Sequence, residues 1–123
     1  MRYTLFLYSD PSGFADVPPE VIEESKAAFG HYIGALREAG VFVETDWLQP
    51  ASTATTVSMA DGETRIQDGP FADTKEQLGG FFVIDVPDLD TALNWAKQCP
   101  AVHYGKVEVR PSAMPPENQD RHG

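Results

Sequence analysis

Cysteine occurs once in this chain, at Cys99. A single thiol cannot close an intrachain disulfide, so the sequence does not read as a disulfide-stapled secreted domain. No apolar stretch approaches the ~18 residues that span a bilayer, and the N-terminus has no apolar core of a signal peptide before Asp10 intervenes. These absences point to a cytoplasmic protein. Basic residues are also scarce, nine Lys and Arg against 19 Asp and Glu, for a net charge of −10. A surface that negative repels phosphate backbones instead of releasing their counterions, so nucleic acid and membrane are poor partners. Three scattered histidines and one cysteine match no zinc spacing, and no metal site is legible. A serine nucleophile motif, a phosphate-cradling glycine loop and a dinucleotide fingerprint are missing too, and no cofactor is expected.

What is present suffices for one compact core, since 123 residues with 41% hydrophobic content fit a single globular domain. "RYTLFLY", residues 2 to 8, is aromatic and apolar and stops at "SDPSG", so it reads as a strand and a turn. From Pro19 to Ala39, Ile22, Phe29, Ile33 and Leu36 share one face of a helix while Glu20, Glu24, His31 and Glu38 take the other. Pro18 and Pro19 mark its start and Gly40 its end. "VFVETDWL", 41 to 48, is a second strand, and "TTVSM" with "TRIQD" around "ADGE" predicts a hairpin. "FFVIDV", 81 to 86, precedes a helix with Asp88 as N-cap and Leu89, Ala92, Leu93, Ala96 and Cys99 on one face. Pro100 closes it, "KVEVR" is the last strand, and the Pro-rich 112 to 123 reads as a loose tail beyond a domain of residues 1 to 111.

Two strand-helix-strand units joined by a hairpin predict an α+β, ferredoxin-like βαββαβ fold with an extra hairpin. Right-handed crossovers put both helices on one sheet face. The other face should then be polar, yet Phe81 and Val83 point there from one strand, and Phe6 and Tyr8 from another. A second copy of the sheet is the expected cover, making the protein a homodimer through its sheet faces.

The densest turn chemistry lies in "DGPFADTKEQLGG", residues 68 to 80. Its structural reading is a corner: Asp68 bonds forward to backbone amides, Gly69 takes positive φ, Pro70 fixes the next φ and Phe71 plugs the core. Gly79 and Gly80 permit a bulge or a close backbone approach. Its functional reading adds a bordering pocket, where Asp68, Asp73, Lys75 and Glu76 cluster and Lys75 holds an anionic substrate or neutralises its neighbours. With Phe71, Tyr8 and His103, these are the candidate ligand-binding residues. His31 lies on the polar helix face and His122 in the tail, so neither is favoured. Tyr8, Tyr32, Trp47 and Trp95 could stack on a flat ligand, although Tyr32 fits core or interface better and Trp95 fits a partner contact or a fold back over its helix.

"DGPFADTKEQLGGFFVIDVPDLDTALNWA", closed by "VEVRP" and preceded by "LQPASTATTV", resembles the DGPF subgroup of the YCII-related family. The resemblance covers Arg2 to Pro111 and implies a small bacterial protein with a dimeric α+β barrel fold. It departs from the family pattern at Asp73, where many members carry Glu, and at Thr91, where a Glu would complete a capping box. Some YCII-related proteins resemble lactone isomerases and dehalogenating enzymes of aromatic breakdown, with a His-Asp pair proposed as catalytic centre. Matching the helix ends puts that histidine near Phe29 of this chain. The resemblance therefore implies a small-molecule binding protein or a cofactor-independent enzyme acting on lactone-like or aromatic compounds by acid-base chemistry. The alternative is a non-catalytic regulatory protein associated with an extracytoplasmic-function sigma factor, for which an acidic surface would suffice.

Overall fold

The computed structural model describes residues 1–14 and 16–114. Strand β1 (Arg2–Ser9) runs through a 3₁₀ turn at Pro11–Phe14 to helix α1 (Pro19–Glu38), and strand β2 (Phe42–Trp47) follows. A hairpin of β3 (Thr55–Ala60) and β4 (Glu63–Asp68) comes next, then β5 (Gln77–Asp85), helix α2 (Leu89–Gln98), a 3₁₀ turn at Pro100–His103 and β6 (Gly105–Pro111). The four long strands form one sheet in the order β2-β5-β1-β6, with every neighbouring pair antiparallel. That is the ferredoxin-like arrangement expected from the two strand-helix-strand units.

Alternation assigns the faces. Tyr3, Leu5 and Leu7 of β1, with Phe82 and Ile84 of β5, are buried against Phe29, Tyr32 and Leu36 of α1 and Ala92 and Ala96 of α2. The opposite face carries Phe6, Tyr8, Phe81 and Val83, each half-buried. Glu44 and Asp46 of β2 stand opposite Val83 and Phe81, and Glu108 and Lys106 of β6 stand opposite Phe6 and Tyr8. An apolar strip thus runs down the centre of that face with charge along both edges.

β5 begins four residues before the expected "FFVIDV". Pairing with β1 continues through a bulge between Leu7 and Tyr8, which leaves Gly79 as the extra residue, and Gly80 lies opposite Leu7. A Cβ on Gly80 would sit 2.8 Å from the Asp46 carbonyl oxygen, so β2 approaches there as closely as only glycine allows.

Asp88 caps α2 as expected, accepting from both the amide and the hydroxyl of Thr91. The threonine that breaks the capping box still feeds the same carboxylate. The helix faces are shorter than the periodicity suggested: Ile22, Leu89 and Leu93 are exposed. Cys99, just beyond α2, is fully buried. Ser112 donates its amide to the Arg2 carbonyl, so the expected tail starts tied to β1, and residues 115–123, with His122, lie outside the described residues.

Candidate functional site

The apolar stripe of α1 changes character in its first half. At 100° per residue Ser25 and Lys26 fall on the same face as Ile22 and Phe29, where a packed helix would carry large apolar groups. Across from them the sheet presents Gly79 and Gly80, which have no side chains. Space is left between the two, and a cavity of about 600 Å³ fills it. Its apolar walls include Leu7, Val17, Val21, Ile22, Phe29, Trp47 and Leu48. Its polar lining consists of Tyr8, Ser9, Ser25, Lys26 and Tyr104.

Aromatic packing fixes one wall. Phe29 meets Trp47 edge to face at 5.3 Å and stacks on Phe82 at 6.3 Å, and Tyr32 meets Phe82 at 5.2 Å and Trp95 at 6.2 Å. Such pairs hold ring planes in defined orientations. Trp95 therefore folds back onto α1, and its carbonyl accepts from the Tyr32 hydroxyl at 2.7 Å. Burial pushes the Tyr104 phenol up to about 12, with the neighbouring Cys99 adding to the shift, so Tyr104 stays protonated through neutral pH.

A second cavity, of about 650 Å³, lies between residues 48–54 and the 70–78 loop. Pro70, Phe71, Thr74, Glu76 and Leu78 line it from the loop, and it shares Tyr8 and Leu48 with the first cavity. The two adjoin across those side chains.

Of the candidates named from the sequence, Tyr8 lines both cavities, and Phe71 and Glu76 line the loop cavity. Glu76 forms an ion pair with Lys106. Phe71 is 89% exposed instead of plugging the core, and the whole run from Pro70 to Lys75 is exposed with it, so this stretch of the loop is held at the surface. Asp68 is exposed, and no hydrogen bond of its carboxylate is found among the described residues. The corner is held by backbone groups instead: the Gly69 amide donates to the Ala54 carbonyl at 2.7 Å, and the Thr56 hydroxyl donates to the Gly69 carbonyl at 2.8 Å. Gly69 has φ +96°, as the turn chemistry required. Asp73 and Lys75 are exposed and line neither cavity. Lys75 lies near enough to Asp10 to help hold its carboxyl below the usual range, a shift due mainly to the Ser12 hydroxyl and amide. His103 is exposed at the end of its 3₁₀ turn, although its neighbours Ala101 and Tyr104 line the first cavity.

Sequence reasoning missed Ser25, Lys26 and Tyr104. For Lys26 the signal was available, as it stands four residues after Ile22 and three before Phe29, inside the apolar stripe. Among the described residues no group of His, Cys, Asp and Glu is clustered to hold a metal, and no helix is long and apolar enough to cross a membrane.

Comparison with known proteins gives the chain a place. An uncharacterised protein of Rhizobium meliloti (strain 1021) is 37% identical over 120 residues, covering 93% of this chain and 94% of that protein. The 5-chloro-2-hydroxyhydroquinone dehydrochlorinase of Burkholderia phenoliruptrix AC1100, solved in complex with 2,5-dihydroxybenzoquinone, superposes with a TM-score of 0.55. That alignment covers 95% of this chain and 98% of the enzyme at 13% identity, a likeness of fold. The family model of the YCII-related domain matches residues 1–112, and the chain belongs to that family.

Proposed function

We propose that this protein binds a small, flat, largely apolar molecule in the cavity between α1 and the sheet, as a cytoplasmic homodimer joined through its sheet faces. The observation that carries the reading is the cavity itself: about 600 Å³, in the range of small-molecule sites, with apolar and aromatic walls and a few convergent polar groups. Phe29 and Trp47 offer ring edges and faces to a planar guest. The dehydrochlorinase of similar fold was solved with a quinone of that shape. The half-buried Phe6, Phe81 and Val83 support the pairing of sheets, since they make an apolar strip that a second copy would cover.

Turnover has less support than binding. Phe29 stands where the family's histidine falls, and neither a histidine nor a carboxylate is among the residues that line the cavity. A general base must stand within hydrogen-bond reach of the substrate proton, and the lining offers only Lys26 and tyrosines for that role. Glu76 in the adjoining loop cavity is tied to Lys106. The sigma-factor reading gains support from neither the fold nor the relatives.

The test is a thermal-shift titration with 2,5-dihydroxybenzoquinone and a set of planar aromatic compounds on the wild type and on Ser25→Trp, which puts an indole ring where a planar guest would lie. Saturable stabilisation of the wild type that the variant loses is expected. A ligand at about 100 times its Kd adds ~2.7 kcal/mol to stability, a readily measured shift. If no compound stabilises the wild type, or if Ser25→Trp responds equally, the binding site is not this cavity.

A further inference from the structure

We infer that the ligand of this cavity is a monoanion, an apolar body carrying one carboxylate or similar acid group, and that Lys26 selects it. The inference rests on the binding role proposed above and names the chemistry of the guest. Lysine is out of place on the face of α1 that turns to the sheet, unless that face meets something other than packed core. Between Ile22 and Phe29 it meets the cavity, and Lys26 is the one charged residue in the lining.

The sign of that charge is informative. With 19 acidic residues against nine basic, a lining drawn at random from this chain would carry acid about twice as often as base. No Asp or Glu lines the cavity, and its other polar residues are Ser9, Ser25 and Tyr104, with Tyr8 at the border, whose hydroxyl donates to Glu108 at 3.5 Å. Hydroxyls donate hydrogen bonds to an anion without repelling it. A cationic guest would find no carboxylate to meet it. A phosphate dianion would bring two negative charges to a lining that holds a single cation. One positive charge above an apolar chamber fits an amphiphilic acid with a single negative charge.

Lys26 is available for the task. Its ammonium lies 3.6 Å from Glu23, one turn back, with the two side chains 59% and 73% exposed. An exposed pair of that kind contributes little and exchanges readily for a better partner. A carboxylate held at the cavity rim, with apolar walls on one side, feels a lower effective dielectric than Glu23 does in water, so its attraction to Lys26 is stronger.

The experiment uses three probes of one shape: 2-naphthoate, neutral 2-naphthalenemethanol and cationic 2-naphthylmethylamine. Binding is followed by calorimetry, with the fluorescence of Trp47 in the cavity wall as a second readout. For the wild type we expect naphthoate to bind about tenfold more tightly than the alcohol, and the amine most weakly. Lys26→Met should erase the preference for naphthoate while keeping the affinity for the alcohol, which also reports that the variant is folded. Lys26→Arg should retain the preference, and Glu23→Gln should increase it. An alcohol that binds as well as naphthoate, or a preference that survives Lys26→Met, overturns the inference and leaves the cavity's binding role standing. Failure of all three probes to bind saturably overturns both.

Discussion

Asp88 shows at the scale of one residue how this chain turns sequence into local structure. Its carboxylate takes the Thr91 amide at 2.8 Å and the Thr91 hydroxyl at 2.6 Å, and these bonds hold the carboxyl below its usual range. A group whose pKa falls on folding stabilises the native state above its unfolded value and loses that contribution as pH drops through the folded value. Asp88→Ala should therefore melt below the wild type at pH 7. The gap should stay constant down to about pH 5 and close as pH falls below ~3.9, the ordinary Asp value. Melting curves of the two proteins across that range check it; a gap that persists at the acid end would show that the cap does not act through its charge. The N-cap was legible because its signal is local, an Asp placed before an apolar repeat. Phe71 was misread for the opposite reason: whether an aromatic residue in a turn points inward depends on where the loop travels, which no nearby residue records. Lys26 was legible in principle and passed over, because helical faces are usually searched for what is apolar and not for the charged exception.

Between elements, α1 and α2 are joined by a bond that periodicity does not reveal. The Cys99 amide turns to the Ala96 carbonyl in a tightened last turn, which leaves the Trp95 carbonyl without its helical donor. Tyr32 of α1 supplies the hydroxyl at 2.7 Å, and its ring packs on Trp95 as well. Tyr32→Phe keeps the ring and removes the donor, leaving a half-buried carbonyl unsatisfied at an expected loss of about 1–2 kcal/mol. Equilibrium denaturation should show the midpoint moving at constant slope, since the surface exposed on unfolding is unchanged. An unmoved midpoint would mean that water replaces the hydroxyl. The elements themselves were readable from alternation, helical period and turn residues, and all six strands and both helices fall where those signals lie. The start of β5 was not, because strand pairing passes through a bulge at Gly79 that looks like punctuation in the sequence.

At the scale of the whole molecule, the two faces of the main sheet are unequal. One is packed against the helices, apart from the cavity beside the first half of α1; the other holds Phe6, Phe81 and Val83 half-buried, with the Arg110 guanidinium 5.5 Å above the Phe6 ring. If that strip joins two copies, Phe81→Glu places a charge at its centre, facing Asp46 of the same sheet. Sedimentation should then report the mass of two chains for the wild type and of one for the variant. A wild type that sediments as a single chain would rule out the pairing. This much could be inferred from the pattern of both faces of β1 and β5, whereas the cavity could not, since it exists only where a helix and a strand from distant parts of the chain each lack bulk. The order of the strands carries one more consequence, for how the protein is made. β1 is synthesised before both of its partners and lies between β5 and β6, so Leu5 pairs with Phe82 on one side and Val109 on the other. At ribosomal rates of ~5–20 residues per second, about 5 to 20 s pass before β6 follows β1 into existence. Through that interval the nascent chain presents the apolar side chains of β1 without their final neighbours, and it is then, more than in the finished fold, that unpaired strand edges and bare apolar surface invite aggregation.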